Sequence, residues 1–308
     1  MQAVLEGFAT IGVVIALGAL LAHLGVLDDA SRVVLSRLAF FVASPALMVT
    51  VVGRADVHAV LSGNLAASAA GVLVASVLYV VAARLVWRRD LAETVVGTLC
   101  SAYVNAGNLG LPIASYVLGD AALVAPTLLM QLLVLQPLAL AFLDHAASGE
   151  RFSVGRAMAR PLTNPLTVGS LAGLALAVTG VQLPPAVRDP LELVGGMAVP
   201  SMLIAYGISL RLGPKPLGSS TSVGEIGVIT VLKLVVQPAA AYAVGRFVLG
   251  LDQPGLLAVT VLSTLPAAQN IFVLATRYGR AEVLARDSVF VTTVLSVPAL
   301  FVVAALLG

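Results

Sequence analysis

Residues 101–112, SAYVNAGNLGLP, place two asparagines, two glycines and a proline inside a long apolar segment. Glycine weakens a helix and proline cannot donate to its hydrogen-bond ladder, so the sequence predicts a helix break formed by Gly107, Gly110 and Pro112. If the segment crosses a membrane, lipid cannot satisfy the backbone groups that the break leaves unpaired. We therefore expect the stretch to be buried in protein or to line a cavity.

The composition of the chain identifies the environment of that segment. Of the 308 residues, 59% are hydrophobic and 10% are charged, and the mean hydropathy is +1.04. The apolar residues form runs of about 20, which is the length of helix that crosses a bilayer. The sequence therefore predicts an all-α polytopic membrane protein with ten transmembrane helices. The predicted spans are about 4–24, 33–52, 65–86, 92–118, 121–143, 166–181, 188–210, 225–249, 254–277 and 282–307.

The basic residues predict the orientation of these spans. Thirteen of the 17 Lys and Arg residues flank loops after odd-numbered spans, and three flank loops after even-numbered spans. Cytoplasmic loops are enriched in Lys and Arg, so both termini are expected outside the cell. Arginine greatly outnumbers lysine, which is typical of a GC-rich bacterial gene, and the expected location is a bacterial inner membrane.

The longest polar segment, residues 144–164, divides the ten spans into two sets of five. Because five is odd, residues 165–308 must enter the membrane with an orientation opposite to that of residues 1–143. This is the inverted-repeat arrangement of many secondary transporters, with 144–164 as a cytoplasmic linker. Spans 2 and 7 support the repeat, since LAFFVASPALM and LVGGMAVPSML each contain a mid-span proline, Pro45 and Pro200.

Span 9 contains a second interruption, LPAAQNIF at residues 265–272, which corresponds in depth to the interruption in span 4. Paired interruptions in the two halves of a chain indicate a transporter binding site. We expect Pro266 to break span 9. Each broken helix would then present the N-terminus of a half-helix, whose N–H groups and dipole favour an anion. The two spans together therefore predict an anion site that needs no fixed charge.

Polar side chains near the two breaks are the candidate substrate ligands. The amides closest to the breaks are Asn105, Asn108, Gln269 and Asn270. They can donate to a carboxylate or coordinate a cation, and alternatively they satisfy the backbone groups of the breaks. Gln131 in span 5 could face the same cavity or join two helices. Ser44 in span 2 could contact a ligand or bond back to its own helix.

Lys233 is the fixed charge that the sequence places inside a span, and a charge at that depth is a functional candidate. It could attract the anion, act as a counter-ion or extend to the cytoplasmic surface.

The acids all lie near predicted span ends, which argues against a carboxylate-based proton antiporter. The sequence contains no Walker loop, metal-ligand spacing, nucleophile–base pair or nucleic-acid motif. It therefore indicates neither an enzyme nor a cofactor, and Na⁺ or H⁺ is the possible coupling ion.

Taken together, the motifs resemble the auxin efflux carrier family, which includes plant auxin exporters and bacterial malonate and malate carriers. The most specific stretches are NAGNLGLP, NPLTVGSLAGLALAVTG, LELVGGMAVPSMLIAYGISL, KLVVQP and LPAAQNIFVLATRYG, in chain order. The resemblance implies a fold similar to bile acid:sodium symporters, with broken helices 4 and 9 crossing. It also implies a scaffold of helices 1, 2, 6 and 7, an elevator-like transport domain of helices 3–5 and 8–10, and pairing as a homodimer.

The resemblance also implies a role for two residues. Asn105 looks like the asparagine that contacts the substrate carboxylate in plant relatives, and Pro266 looks like the crossover proline of helix 9. The chain departs from the plant pattern at Val104 and Ala267 and lacks a large cytoplasmic loop. The expected function is elevator-type transport of a small mono- or dicarboxylate across the bilayer. The alternatives are a sodium-coupled symporter of the bile acid type and a membrane sensor that does not transport.

Overall fold

The computed structural model describes residues 2–54, 63–110, 113–114, 118–119, 121–148, 165–213, 217–218 and 222–307. Within these residues the regular structure is helical, apart from one isolated antiparallel bridge between Val104 and Ala267. The helices are α1 (Gln2–His23), α2 (Asp29–Gly53), α3 (Gly63–Leu85), α4 (Leu91–Ala102), α5 (125–148), α6 (Pro165–Thr179), α7 (Pro185–Leu212), α8 (Val223–Val248), α9 (Gln253–Ser263), α10 (Asn270–Tyr278) and α11 (Glu282–Leu307).

Acidic residues just before three of the helices determine where those helices begin. The Asp28 carboxylate accepts a hydrogen bond from the Ser31 backbone N–H at 2.8 Å, at the start of α2. Asp90 caps α4 and Asp252 caps α9 in the same way. A side-chain acceptor at this position satisfies one of the backbone donors that the first turn leaves unpaired. Each cap lies at the polar boundary of an apolar run.

Five of the described helices are long and apolar enough to cross a membrane: α2, α3, α7, α8 and α11, with 23 to 28 residues each. Large apolar side chains on these helices point outward, for example Leu73, which is 63% exposed, and Phe247, which is 79% exposed. Water would disfavour such a surface, whereas lipid accepts it. The described residues therefore form a multi-pass, all-helical membrane protein, which confirms the class predicted from composition.

Helices α1, α2, α6 and α7 pack against one another in one group. Helix α7 lies between α1 and α2, and the second half of α2 packs on α6. Glycines allow the backbones to approach closely. A Cβ atom on Gly18 would lie 2.5 Å from the Ile204 carbonyl oxygen, and one on Gly169 would lie 2.5 Å from the Pro45 carbonyl oxygen. Small residues at such contacts are the usual basis of helix packing in membranes.

A second group contains α3, α4, α5, α8, α9, α10 and α11. Helix α3 packs on α4 and α8, α9 packs on α8 and α11, and α5 and α10 both contact α4. Buried polar contacts join the group at one end. The fully buried Glu225 of α8 accepts from the Tyr79 hydroxyl at 2.8 Å and pairs with Arg89 at 2.6 Å. A buried carboxylate is stable only with such partners.

Three of the described helices contain a π-helical turn that ends two residues before a proline. The turns are Ala39–Ala43 in α2, Gln131–Leu135 in α5 and Leu232–Val236 in α8, and the prolines are Pro45, Pro137 and Pro238. Proline lacks an N–H group, and its ring clashes with the carbonyl of the preceding turn. A widened turn relieves that clash and also changes which side chains share a face.

Candidate functional site

The first interruption lies just after α4, which ends at Ala102. Tyr103 is extended, with φ −89° and ψ 109°, and a π-helical turn, Ala106–Gly110, follows. The chain thus leaves the helix at residues 103–105, earlier than the glycines and proline of the quoted stretch suggested. Gly107 and Gly110 lie in the turn that follows, and Pro112 is outside the described residues.

The second interruption, residues 264–269, separates α9 from α10 and lies against the first. Val104 and Ala267 form an antiparallel bridge. Two backbone hydrogen bonds flank it, from Asn105 N to the Pro266 carbonyl at 2.9 Å and from Ala268 N to the Tyr103 carbonyl at 3.3 Å. Each interruption therefore satisfies backbone groups of the other, which broken helices require at membrane depth.

Amide side chains extend this contact. The Asn105 side chain donates from Nδ2 to Oε1 of Gln269 at 2.7 Å, and so joins the two interruptions a third time. Gln131 of α5 accepts a hydrogen bond from the Val104 backbone N–H at 2.6 Å. All three amides are almost completely buried. Gln131 thus satisfies a backbone group of the break, a role that the sequence suggested for the amides next to the breaks and not for Gln131.

A second set of polar contacts lies next to the first. The Tyr103 hydroxyl donates to Oε1 of Gln136 at 3.1 Å and accepts from Nδ2 of Asn270 at 3.4 Å. The Oδ1 atom of Asn270 is buried and has no hydrogen-bond partner among the described residues. A buried acceptor without a hydrogen-bond donor is energetically unfavourable, and a bound ligand can supply the donor.

These polar side chains line a cavity of about 90 Å³, which lies between the two groups of helices. Its wall contains Ser44 of α2, residues 103–107, Gln131 and Gln136 of α5, Val199 of α7, and residues 268–270. Among the described residues that line it, none carries a charge. An apolar wall with a few converging polar groups is typical of a small-molecule site.

The structure brings together most of the predicted site residues but not all of them. Ser44, Asn105, Gly107, Gln131, Gln269 and Asn270 line the cavity. Pro266 contributes its carbonyl to the bridge and Gly110 packs beside Val124, and neither lines the cavity. The side chain of Asn108 and all of Pro112 lie outside what the structure describes.

Sequence reasoning did not select two of the polar residues in the cavity, Tyr103 and Gln136. Gln136 follows the π-helical turn that begins at Gln131, and its backbone N–H donates to the Gln131 carbonyl. Such a turn brings residues five apart onto the same face, so both glutamines reach the cavity. The proline after Gln136 is the sequence signal that could have indicated this turn.

Lys233 does not line the cavity. Its side chain is fully buried in α8, and its Nζ donates to Oε1 of Gln237 at 2.6 Å and to the Ser263 carbonyl at 3.2 Å. The ammonium group therefore lies at the end of α9 and does not extend to a membrane surface. Its two acceptors are uncharged.

The lipid-facing helices and the amide-lined cavity at two paired interruptions define a class: a multi-pass membrane protein with an internal polar site. Comparison with known proteins gives the family. The family model described as "Membrane transport protein" matches residues 3–304, so the chain belongs to that family. This confirms the membership of the auxin efflux carrier family that its motifs predicted.

Two curated relatives cover most of the chain. A protein of Rhizobium meliloti (strain 1021), named "Putative malonate transporter", is 27% identical over an aligned length of 263, and the match covers 83% of this chain and 81% of the relative. A protein of Methanothermobacter thermautotrophicus, named "Uncharacterized transporter", is 28% identical over an aligned length of 313, and the match covers 96% of this chain and 95% of the relative. The chain is therefore a member of a membrane transport family along nearly its full length.

Proposed function

We propose that the protein is a secondary transporter of a small organic anion, a mono- or dicarboxylate, which binds in the cavity between the two interruptions. The observation that carries this proposal is the pair of amides, Asn105 and Gln269, that meet across the bridge within a cavity lined by uncharged polar groups. The malonate name of one relative supports a dicarboxylate.

Neutral donors suffice for the anion in this arrangement. Asn105 Nδ2 now donates to Gln269, and a carboxylate oxygen would replace Gln269 Oε1 as its acceptor. Charge-assisted hydrogen bonds are shorter and stronger than neutral ones, so the exchange favours the bound anion. A carboxylic acid hydroxyl, or a hydroxyl on the substrate, would satisfy Oδ1 of Asn270.

The helix ends at the cavity add a favourable field. The π-helical turn Ala106–Gly110 and helix α10 both begin at residues that line the cavity. The N-terminal ends of helices carry partial positive charge. An anion between two such ends is stabilised without a Lys or Arg in contact, which leaves it easy to release.

The grouping of the helices supports a proposal for alternating access. The group of α1, α2, α6 and α7 would be the scaffold, and the group of α3–α5 and α8–α11 would move as the transport domain. The cavity lies between them, with Ser44 and Val199 on the scaffold side and Asn105 and Gln269 on the other side. A sliding movement of one group would expose the anion first to one face of the membrane and then to the other.

The test is the flux of a panel of carboxylates, including malonate, malate and indole-3-acetate, into proteoliposomes with and without sodium and proton gradients. We expect at least one acid to be transported. Asn105→Ala should reduce its flux by about tenfold or more, because loss of a hydrogen bond to a charged group costs about 1.5–3 kcal/mol. Asn64→Ala, the same change at the start of α3 and away from the cavity, is the matched control and should transport normally.

Three other results would change the conclusion. Flux that requires sodium would favour the symporter alternative, with the amide oxygens as cation ligands. Binding of an acid without flux, dependent on Asn105, would favour a membrane sensor. If no acid binds or moves, or if Asn105→Ala and Asn64→Ala behave alike, the cavity is not the site.

A further inference from the structure

Lys233 and Gln237 of α8 lie one helical turn apart and reach the ends of two other helices. The Lys233 Nζ donates to the carbonyl of Ser263, the last residue of α9, at 3.2 Å. The Gln237 Nε2 donates to the carbonyl of Ala102, the last residue of α4, at 3.0 Å. Lys233 and Gln237 are themselves joined, from Nζ to Oε1, at 2.6 Å. One pair of side chains thus caps the two helices that end at the interruptions.

The ends of two helices provide partial negative charge at this buried point. The last carbonyl groups of a helix have no partner within the helix and carry partial negative charge. Helices α4 and α9 end within reach of the same two side chains, so their negative ends converge there. Burial disfavours the charged form of Lys233. An ammonium group can donate three hydrogen bonds, so these helix ends and Gln237 are the groups that would compensate its charge.

We propose that Lys233 is a built-in cation, which holds the C-terminal ends of α4 and α9 together in place of a bound metal ion. The two oxygens that accept from it, Gln237 Oε1 and the Ser263 carbonyl, are uncharged, and Gln237 in turn donates to the Ala102 carbonyl. Such hard oxygens also suit a small alkali cation. With the lysine in place, the interruptions need no sodium to keep their geometry.

This role is positioning, because Lys233 does not touch the cavity. Residues 103–105 follow directly after Ala102, and the second interruption follows directly after Ser263. Fixing both helix ends therefore fixes the start of both chain segments that form the bridge. The inference rests on the proposed function only in assigning the bridge a role in transport, and its test does not require transport.

The experiment measures thermal unfolding of the purified protein in sodium chloride and in choline chloride at equal ionic strength. Lys233→Ala leaves space for a small cation, and Lys233→Met fills the space without a charge. We expect wild type to unfold at the same temperature in both salts. Lys233→Ala should lose about 5 °C or more in choline chloride and regain at least half of that in sodium chloride, because a ligand that binds only the folded state stabilises it.

Two variants complete the comparison. Lys233→Met should be destabilised equally in both salts, because its side chain blocks the space without neutralising the helix ends. Arg246→Ala removes an exposed positive charge from the same helix and should behave as wild type in both salts.

The proposal is overturned if Lys233→Met is as stable as wild type, if Lys233→Ala gives the same unfolding temperature in both salts, or if wild type itself is stabilised by sodium. If Lys233→Ala fails to fold, the stability of Lys233→Met and the sodium response of wild type still test the proposal. Absence of flux for every acid would instead contradict the proposed function, whatever the unfolding temperatures show.

Discussion

Asn105 contacts the second interruption through both its backbone and its side chain. Its N–H donates to the Pro266 carbonyl, and its Nδ2 donates to Gln269. Its own carbonyl accepts from Leu109 and Gly110, which closes the π-helical turn behind it. Asn105 thus holds the backbone bridge in place and also places its side-chain amide in the cavity. A ligand that takes over the side-chain bond therefore acts directly on the contact between the two interruptions.

Gly107 and Gly110 share the same π-helical turn but have different surroundings. A Cβ atom on Gly107 would meet no other atom within 4 Å, whereas one on Gly110 would lie 2.7 Å from Cγ2 of Val124. Gly107 lines the cavity and Gly110 does not.

We expect Gly107→Ala to unfold near the wild-type temperature but to transport larger carboxylates more slowly, because its methyl group enters the cavity. Gly110→Ala should lower the unfolding temperature, since overpacking costs about 1–3 kcal/mol. Thermal unfolding and a flux comparison of malonate with a bulkier acid measure both effects. Equal destabilisation by the two changes would contradict this assignment, as would unaltered selectivity in Gly107→Ala.

At the scale of the elements, π-helical turns and glycine contacts decide how the helices meet. The turn in α5 brings Gln131 and Gln136 to the cavity, and the turn in α8 contains Lys233. Helices of the first group are in backbone contact, for example at Gly18 of α1 and Ile204 of α7. Such contacts leave no room for even one methyl group.

Two glycines in α1 provide a matched test of this packing. Gly18→Ala would place a methyl group 2.5 Å from the Ile204 carbonyl of α7, whereas Gly12 is exposed and its Cβ would meet nothing within 4 Å. We expect Gly18→Ala to lower the unfolding temperature, at a cost of about 1–3 kcal/mol. Gly12→Ala should be neutral or slightly stabilising, because alanine favours a helix. A result in which the two variants unfold alike would show that α1 and α7 are not held at this distance.

At the scale of the whole molecule, polar contacts link the two groups of helices. Arg32 of α2 forms an ion pair with Glu282 of α11 at 3.0 Å, and it also pairs with Asp29 of its own helix. Within the second group, the Tyr278 hydroxyl of α10 donates to Asp144 of α5 at 2.6 Å. If the two groups slide, the ion pair between Arg32 and Glu282 would have to separate, whereas the hydrogen bond between Tyr278 and Asp144 would not.

Cross-linking tests the proposed sliding. Cysteines at Arg32 and Glu282, joined by a short bis-maleimide, should abolish flux, whereas cysteines at Asp144 and Tyr278, joined by the same reagent, should leave most of it. The native Cys100 is buried and does not compete for the reagent. Flux in proteoliposomes before and after cross-linking gives the answer. Transport that survives the first cross-link would exclude a sliding movement between these two groups.

The sequence by itself determined the class of the protein. Apolar runs predict membrane helices because each run can satisfy its own backbone and bury its side chains in lipid without help from the rest of the chain. The ordered motifs predicted the family, and the paired interruptions predicted where polar residues would gather. Ser44, Asn105, Gln131, Gln269 and Asn270 were all selected on such local grounds, and all line the same cavity.

Only the tertiary structure decided where α4 ends and what Lys233 contacts. The chain leaves the helix at residues 103–105 because Pro266 and Ala268 offer backbone partners there, and those partners lie more than 160 residues away. Lys233 bonds to the end of α9 and not to a membrane surface, because the negative ends of two helices converge beside it. A local pattern indicates that a helix breaks, whereas the position of the break depends on hydrogen-bond partners that only the folded chain brings together.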